Sequence, residues 1–415
     1  MTLKKFFSGS NILQGDTVVW MIFLLLCMIS VVEVYSASSR MTFSGGDYWR
    51  PISEHGTYVC LGIIVTWIIH RIPCNYFKIG GTLVLHFVAY PLLLWALFAP
   101  KTNDAGRWVD LGIVKMQPSE VSKISLVVFA AFILASLRDK KGASKTALKI
   151  VATETFFVVA LIVSENASTA GILSLVMFGM CFFAQIRTKV LASVMAFMII
   201  VGTLGITFAY NISEETLTEW GASDSQVLHR LPTWVHRITD HTEMPADPKD
   251  YNITDNVQKT HATIAIATCN IVGKGPGNSV QRDFLPQAFS DFIYAIIIEE
   301  LGVFGGGGVM FLYLLLMYRA MRIAQKCKAL FPSYLVMGLA LMMVTQAMIN
   351  MAVAVGAFPV TGQPLPLVSR GGTSLFVNCA YIGMILSVSR SAKKKDEKGK
   401  LAEATITSDD KKGEL

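Results

Sequence analysis

Residues 17–38 read TVVWMIFLLLCMISVVEVYSAS, an apolar run that contains one charged residue, Glu33. A run of about 18 or more apolar residues is long enough to cross roughly 30 Å of hydrocarbon as an α-helix. Comparable runs recur near 56–72, 79–99, 118–137, 147–163, 167–186, 189–210, 293–318, 332–355 and 371–389. The pattern predicts an all-α, polytopic membrane protein with about ten transmembrane helices.

Composition and charge placement support this class. The chain has 415 residues, 53% hydrophobic and 16% charged, and its mean hydropathy of +0.51 is too high for a soluble globular protein. Basic residues gather in alternate connections, as the positive-inside rule requires of cytoplasmic loops. They are Lys4, Lys5, Arg71, Lys78, Arg138, Lys140, Lys141, Lys145, Arg187, Lys189, Arg319, Arg322, Lys326, Lys328, Lys393, Lys394 and Lys395. We therefore predict cytoplasmic termini and a large periplasmic loop, about 211–290, between spans seven and eight.

Composition along the chain also defines the domains and argues against nucleic-acid binding, a disulfide framework and a histidine metal site. We divide the chain into a transmembrane domain, residues 1–390, and a lysine-rich cytoplasmic tail, residues 391–415, whose polarity predicts disorder. The net charge of +7 belongs to the inner loops and does not indicate nucleic-acid binding. The seven cysteines show no disulfide pattern, and we interpret the lone His261 as structural rather than as a metal ligand.

The stretch Phe284–Ala295, FLPQAFSDFIYA, places a single acid, Asp291, where the outer loop meets the eighth run. A carboxylate at the membrane boundary is costly to desolvate and is therefore a functional candidate. Two interpretations stay open on the residues alone: a general base, or an acid that stabilises the start of a helix. The eighth run also contains Glu299, Glu300 and Gly305–Gly308, which indicate an interfacial helix followed by a span.

Basic residues in the outer segments are candidates for contact with an anionic headgroup. Gly106–Gly112 contains Arg107, and the start of the fourth span places Glu120 and Lys123 three residues apart on one helical face. One interpretation is an ion pair at a helix end. The other is that Arg107 and Lys123 bind a headgroup while Glu120 holds Lys123 in place.

The long outer loop contains three recognisable segments. Val227–Ile238 mixes aromatic, aliphatic and basic residues, including Arg230, and is typical of a surface-lying helix that contacts lipid phosphates. Val257–Ala267 predicts a second helix. The glycine-rich turn Gly273–Ser279, with Lys274, can expose backbone N–H groups to phosphate, although its spacing matches neither dinucleotide nor nucleoside triphosphate motifs.

The segment Phe358–Ser374 contains three prolines and three glycines at membrane depth. Irregular backbone is tolerated there only where protein or water buries it, so we predict a re-entrant wall of a cavity. Arg370 within it is a further candidate for an anion contact.

These motifs together resemble the SEDS family, the polytopic FtsW/RodA proteins that polymerise peptidoglycan glycan strands. The resemblance extends from span one to span ten and rests on Tyr35–Ser38, Gly106–Trp108, Gln117–Lys123, Gly273–Gln281, Phe284–Gly302 and Thr361–Asn378. Gly277–Gln281 is more similar to division-type FtsW than to elongation-type RodA. Three positions depart from the usual pattern: Asn166 replaces an aspartate, Phe289 lies in QAFS where EAHT is usual, and Arg370 replaces a common tyrosine.

The resemblance implies a peptidoglycan glycosyltransferase that polymerises lipid II during cell division, with Asp291 matching the family's essential aspartate. The implied donor is a glycan strand on undecaprenyl pyrophosphate, and an inverting attack by the acceptor's 4-hydroxyl needs a base. Our first candidates to stabilise the departing pyrophosphate are Arg107 and Lys123, followed by Arg370, Arg230 and Lys274. No ligand cluster demands a metal, although a divalent cation such as Mg²⁺ or Mn²⁺ is compatible with this chemistry.

The resemblance also implies a place and partners: the bacterial inner membrane at the division septum, a class B penicillin-binding protein that acts as transpeptidase, and other divisome membrane proteins. Three alternatives remain: a RodA-type elongation polymerase, a lipid II flippase or transporter, and a scaffold that recruits partners through its eighth and ninth spans. A transporter predicts polar groups in the inner halves of the spans as well. The charged motifs cluster at the outer end, which favours chemistry on the outer face.

Overall fold

The computed structural model describes residues 13–38, 49–98, 109–110, 115–139, 142–164, 166–212, 233–235, 237, 257–285 and 288–410, and these are almost entirely helical. The helices are α1 Thr17–Ala37, α2 Arg50–Arg71, α3 Asn75–Val84, α4 Tyr90–Phe98, α5 Pro118–Ser136, α6 Lys145–Val163, α7 Ala167–Phe183, α8 Thr188–Asn211, α9 Val257–Ala267, α10 Ile293–Lys326, α11 Leu330–Ala354 and α12 Gly372–Asp410. Two short antiparallel hairpins pair β1 Val109–Asp110 with β2 Lys115–Met116, and β3 Arg138–Asp139 with β4 Gly142–Ala143. The predicted all-α class is confirmed.

The membrane-spanning helices follow the predicted order. Among the described residues, nine helical segments are long and apolar enough to cross a membrane, and the 17-residue α7 is a shorter tenth. The third span consists of α3, a π-helical turn at Leu85–Ala89 and α4. The helix ends differ from the predicted apolar runs by a few residues, because helices continue past the hydrocarbon core into polar surroundings. The chain is a multi-pass membrane protein.

Helix α11 lies at the centre of the bundle. It packs against α5, α7 and α10, while α12 packs against α2 along much of its membrane-spanning length. Several of its methionines face the interior and pack in the core. The buried ones are Met337, Met342, Met343 and Met351, and Met348 is half-buried.

Helix α10 is broken at Gly302, which has φ 72° and ψ −173°. Only glycine adopts this conformation readily, and a Cβ here would lie 2.3 Å from the carbonyl oxygen of Ile271. The break separates a buried outer helix, residues 293–301, from the longer span that follows. The eighth segment has two parts, as predicted, and the interfacial position of the first part stays a prediction.

The last helix continues beyond its membrane-spanning part, which ends near Lys393, as far as Asp410. The polarity of residues 391–415 predicts a disordered tail; the backbone of 391–410 is helical in the structure. Lysine, alanine and glutamate make up ten of the twenty residues of 391–410, and all three are strong helix formers, so local propensity favours a helix here.

Candidate functional site at the outer end of α10

Asp291 lies in a turn immediately before α10. Its side chain is half-buried, and the hydroxyl of Ser290 donates a hydrogen bond to its Oδ1 at 2.9 Å. The N-cap residue of α10 is Phe292, and no side chain caps the helix. Asp291 is therefore not the N-cap residue itself, but it lies directly before it, where the helix dipole can still act on a carboxylate, so both interpretations of this acid stay open.

The backbone around Asp291 is held from two sides. The Asn350 side chain, on α11, donates through Nδ2 to the carbonyl oxygens of Asp291 at 2.8 Å and of Gln363 at 2.7 Å. The hydroxyl of Ser369 donates to the carbonyl of Ser290 at 2.6 Å. These bonds fix the turn against both a central helix and the irregular segment that precedes α12, so the carboxylate has a well-defined position.

The segment 358–371 is irregular and largely buried, as its prolines and glycines predicted. Leu367 adopts a left-handed conformation with φ 66°. It lies within a tight turn that is closed by the hydrogen bond from Leu365 N to the Ser369 hydroxyl, at 2.7 Å. The side chain of Gln363 reaches α7, where it donates to Thr169 Oγ1 at 2.8 Å. Protein hydrogen bonds thus satisfy this non-helical backbone; its role as the wall of a cavity stays a prediction.

Among the residues that the structure describes, Arg370 is a cation that lies beside the turn containing Asp291. Its backbone N–H donates to the carbonyl of Phe289 at 2.9 Å, and its guanidinium lies 5.4 Å from the centroid of the Phe289 ring. The guanidinium also donates to Glu54, at the outer end of α2, at 2.8 Å. Phe289 and Arg370, two positions that depart from the family's usual residues, therefore contact each other.

Lys123 and Glu120 form an ion pair inside the bundle. The distance from Lys123 Nζ to Glu120 Oε1 is 2.7 Å, and their side chains are 1% and 3% exposed. The same ammonium donates to Gln346 Oε1 on α11 at 3.0 Å, and Gln346 donates to the carbonyl of Pro364 at 3.1 Å. Glu120 thus pairs with Lys123 as expected. Through Lys123 and Gln346, hydrogen bonds connect α5 and α11 to the segment that contains Arg370.

The glycine-rich turn before Asp291 binds the protein's own carboxylates. The N–H groups of Gly277 and Ser279 donate to Glu300, and those of Val280 and Gln281 donate to Glu299, at 2.9 to 3.3 Å. Both glutamates are fully buried. The idea that this turn exposes its N–H groups to a phosphate is wrong, because side chains of α10 already occupy them.

Lys274 belongs to the same arrangement. Its Nζ lies 2.5 Å from Glu299 Oε1 and donates to Thr268 Oγ1 at 3.2 Å. On the other side of the turn, Arg282 donates to Ser36 Oγ of α1 at 3.0 Å, and Ser36 in turn donates to Glu300. A buried carboxylate thus pairs with the ammonium of Lys274. In this structure Lys274 stabilises the loop through these contacts.

His261 has a structural environment, as predicted. Its Nδ1 lies 2.7 Å from Gln281 Oε1, and its ring stacks on Phe284 with centroids 5.5 Å apart. Within the described ranges, no group of three or more His, Cys, Asp or Glu side chains is arranged to hold a metal ion. Two of the sequence-predicted site residues, Arg107 and Arg230, lie outside the residues that the structure describes.

Comparison with known proteins identifies the family to which this fold belongs. The model of the FtsW/RodA/SpoVE family, described as cell cycle protein, matches residues 16–394. The chain belongs to this family. Among curated relatives, the FtsW of Halomonas elongata is 32% identical over 90% of this chain and 91% of its own length, and that of Coxiella burnetii is 28% identical over 89% and 95%. Both are named "Probable peptidoglycan glycosyltransferase FtsW".

Solved structures share the fold of this FtsW/RodA/SpoVE chain. A chain from a peptidoglycan synthase complex superposes with a TM-score of 0.69 at 22% identity, covering 91% of this chain and 98% of its own. The rod shape determining protein RodA of Thermus thermophilus superposes with a TM-score of 0.61 at 21% identity, covering 91% and 97%. At these identities the structures establish a common fold.

Sequence reasoning missed the polar face of α1 in this family member. Ser30, Glu33 and Ser36 recur every three residues on one side of the first span. Ser30 bonds His55 of α2 at 2.8 Å and the carbonyl of Val368 at 2.7 Å. Glu33 is fully buried, and neither of its carboxylate oxygens has a hydrogen-bond partner among the described residues. The isolated glutamate within an otherwise apolar run was the available signal.

Proposed function

We propose that this protein is a peptidoglycan glycosyltransferase that polymerises lipid II into glycan strands, with Asp291 as the general base. One observation carries the proposal: a half-buried carboxylate at the outer end of α10 accepts a hydrogen bond from Ser290, while Asn350 and Ser369 bond the backbone carbonyls of Asp291 and Ser290. The names of the curated relatives support the same reaction class.

The proposed reaction is a single displacement at the anomeric carbon of the donor sugar. The 4-hydroxyl of lipid II loses its proton to Asp291 as its oxygen forms the new glycosidic bond. The bond to undecaprenyl pyrophosphate breaks on the opposite face and leaves its electron pair on the phosphate. A positioned base contributes typically 10²–10⁴-fold to such a rate. No covalent intermediate with the enzyme is required.

Among the described cations, Arg370 is our first candidate to stabilise the departing pyrophosphate. Its backbone is bonded to the Asp291 turn, and its guanidinium can bind phosphate oxygens in a bidentate manner. Lys123 is enclosed with Glu120 and Gln346, and Lys274 is paired with Glu299, so both are candidates only if the substrate displaces those partners. Arg107 and Arg230 remain candidates from the sequence.

We further propose a bacterial inner-membrane location with the Asp291 end facing the periplasm and both termini in the cytoplasm. The distribution of basic residues over alternate connections supports this orientation. The similarity to FtsW relatives supports a role at the division septum. The fold shared with a chain of a peptidoglycan synthase complex supports a class B penicillin-binding protein and other divisome proteins as partners.

Asp291→Asn tests the base directly. The amide keeps the size of the side chain but cannot take a proton, so glycan synthesis from labelled lipid II by purified protein should fall about 10²–10⁴-fold. Asp139→Asn is the matched control, because this exposed acid lies in the β3–β4 hairpin at the other end of the bundle. Size-exclusion profiles and melting temperatures of both variants should equal those of the wild type. Near wild-type polymer output from folded Asp291→Asn would refute the assignment.

The same assay separates the alternatives. Detergent-solubilised protein has no membrane to transport across, so a flippase or a scaffold would yield no long strands from lipid II. A tagged copy in growing cells distinguishes the division role from elongation, since a septal enzyme concentrates at midcell and an elongation enzyme along the side wall.

A further inference from the structure

A second charged feature lies at the opposite end of the bundle, on the predicted cytoplasmic side. The inner ends of α1, α10 and the membrane-spanning part of α12 surround a cavity of about 410 Å³. Three of its lining residues are cations, Arg319, Lys326 and Lys393, and one is an acid, Asp16. The volume falls within the range of small-molecule sites. None of these residues takes part in the proposed reaction at the outer end.

The single acid is already occupied by two sets of donors. Asp16 Oδ1 accepts hydrogen bonds from Val18 N at 3.0 Å and Val19 N at 3.2 Å and so caps α1. Its Oδ2 accepts a hydrogen bond from the guanidinium of Arg319. Asp16 therefore compensates the helix N-terminus and one of the three cations, and the cavity keeps an excess of positive charge.

The other cationic groups still have hydrogen bonds to donate. Within the described residues, neither Lys326 nor Lys393 forms an ion pair, and both are exposed toward the inner face. The buried Nε of Arg319 has no hydrogen-bond partner among these residues either. Arg319 lines the cavity and its side chain is 30% exposed, so an anion in the cavity would be close to a guanidinium as well as to the two ammonium groups.

The positive-inside rule explains why basic residues lie on this side, but it does not require them to surround a cavity. Lys145 and Lys189, for example, lie exposed in the first turns of α6 and α8. In the cavity, three cations from two helices converge beside the capped N-terminus of a third helix. The apolar side chains of Val18 and Ile323 line the same space.

We propose that this cavity binds the phosphate of an anionic phospholipid from the inner leaflet. Cationic pockets between the cytoplasmic ends of transmembrane helices have the chemistry that recognises such headgroups, because phosphate oxygens meet ammonium and guanidinium groups while the acyl chains stay in the bilayer. The lipid would join α1, α10 and α12 at their inner ends. The same α1 and α10 meet at their outer ends through Ser36 and Glu300.

The test compares two double variants of the full-length protein that lose the same net charge on the same face. Lys326→Gln with Lys393→Gln removes two cations of the cavity, and Lys145→Gln with Lys189→Gln removes two outside it. Purified proteins are titrated with phosphatidylglycerol, and bound lipid is counted by native mass spectrometry. The cavity variant should bind roughly 10- to 30-fold more weakly than wild type, since each lysine contributes several-fold to the affinity for an anionic headgroup. The control should stay within twofold.

Two further arms identify the ligand and guard against misfolding. Ala392→Phe fills the cavity from its wall without changing any charge, and it should weaken phosphatidylglycerol binding as well. Zwitterionic phosphatidylcholine and inorganic phosphate should raise the melting temperature far less than phosphatidylglycerol does. Equal losses in the cavity and control variants, or undiminished binding by Ala392→Phe, would overturn the site. Stabilisation by inorganic phosphate as large as that by the lipid would overturn the assignment to a lipid.

Discussion

Replacing Lys123 by methionine tests whether the enclosed ion pair supports the bundle or contacts the substrate. Methionine keeps the length of the side chain, but it leaves Glu120, which is 2% exposed, without the cation that lies 2.7 Å from its carboxylate. Removing one partner of a buried ion pair costs about 3–5 kcal/mol. We expect the free energy of unfolding in detergent micelles to fall by that amount.

The double variant Glu120→Leu with Lys123→Met gives the comparison. Both charges are then gone, and the remaining defect is Gln346 Oε1, which loses the donor at 3.0 Å. An unsatisfied buried acceptor costs about 1–3 kcal/mol. The double variant should therefore be more stable than the single one by about 2 kcal/mol. A single variant that loses less than about 1 kcal/mol would contradict the enclosed ion pair described here.

Lipid II polymerisation, measured on the same three proteins, separates the two roles. If Lys123 only supports the bundle, activity should return together with stability in the double variant. If stability returns while polymerisation stays lost, the ammonium contacts the substrate at some point in the reaction. Recovery of both would remove Lys123 from the list of substrate ligands.

Three more changes probe other contacts. Gly302→Ala should destabilise the protein by about 1–3 kcal/mol or more, because the new Cβ would lie 2.5 Å from the backbone nitrogen of Gly273; a melting temperature equal to wild type would contradict the break in α10. Arg370→Gln should raise the KM for lipid II about tenfold with little loss of stability, since a hydrogen bond to a charged group contributes roughly 1.5–3 kcal/mol, and an unchanged KM would exclude it as an anion ligand. Glu33→Gln should change the free energy of unfolding by less than about 1 kcal/mol, because its oxygens have no hydrogen-bond partner in the described part of the chain, whereas a large loss would reveal one.

The span order could be predicted from the sequence because hydropathy is a local property. Each apolar run must form its own helix within the bilayer, wherever its neighbours lie. The break in α10 was also indicated, since Glu299 and Glu300 interrupt the run near a glycine cluster. Its position at Gly302 could not be predicted, because it depends on the close approach of residues 271–273, about thirty positions earlier in the chain.

The candidate site was predictable only in part for the same reason. Asp291 stands out locally, as an acid between a polar loop and an apolar run. Its supports do not: Asn350 bonds Asp291 across 59 residues, Ser369 bonds the neighbouring Ser290 across 79, and Arg370 bonds Glu54 across 316. On the sequence alone the glycine-rich turn could offer its N–H groups to a phosphate, because its spacing does not reveal that Glu299 and Glu300 accept hydrogen bonds from them.

The attachment of this turn to α10 has a consequence for recombination between relatives. Glu299 and Glu300 follow Asp291 in the chain, whereas the turn they bind precedes it, so the two halves of the contact flank the proposed base. A chimera that exchanges the outer loop but keeps the native start of α10 would bring together carboxylates and backbone N–H groups that were never matched. Residues 271–302 therefore form the smallest block that can be transplanted with its internal contacts intact.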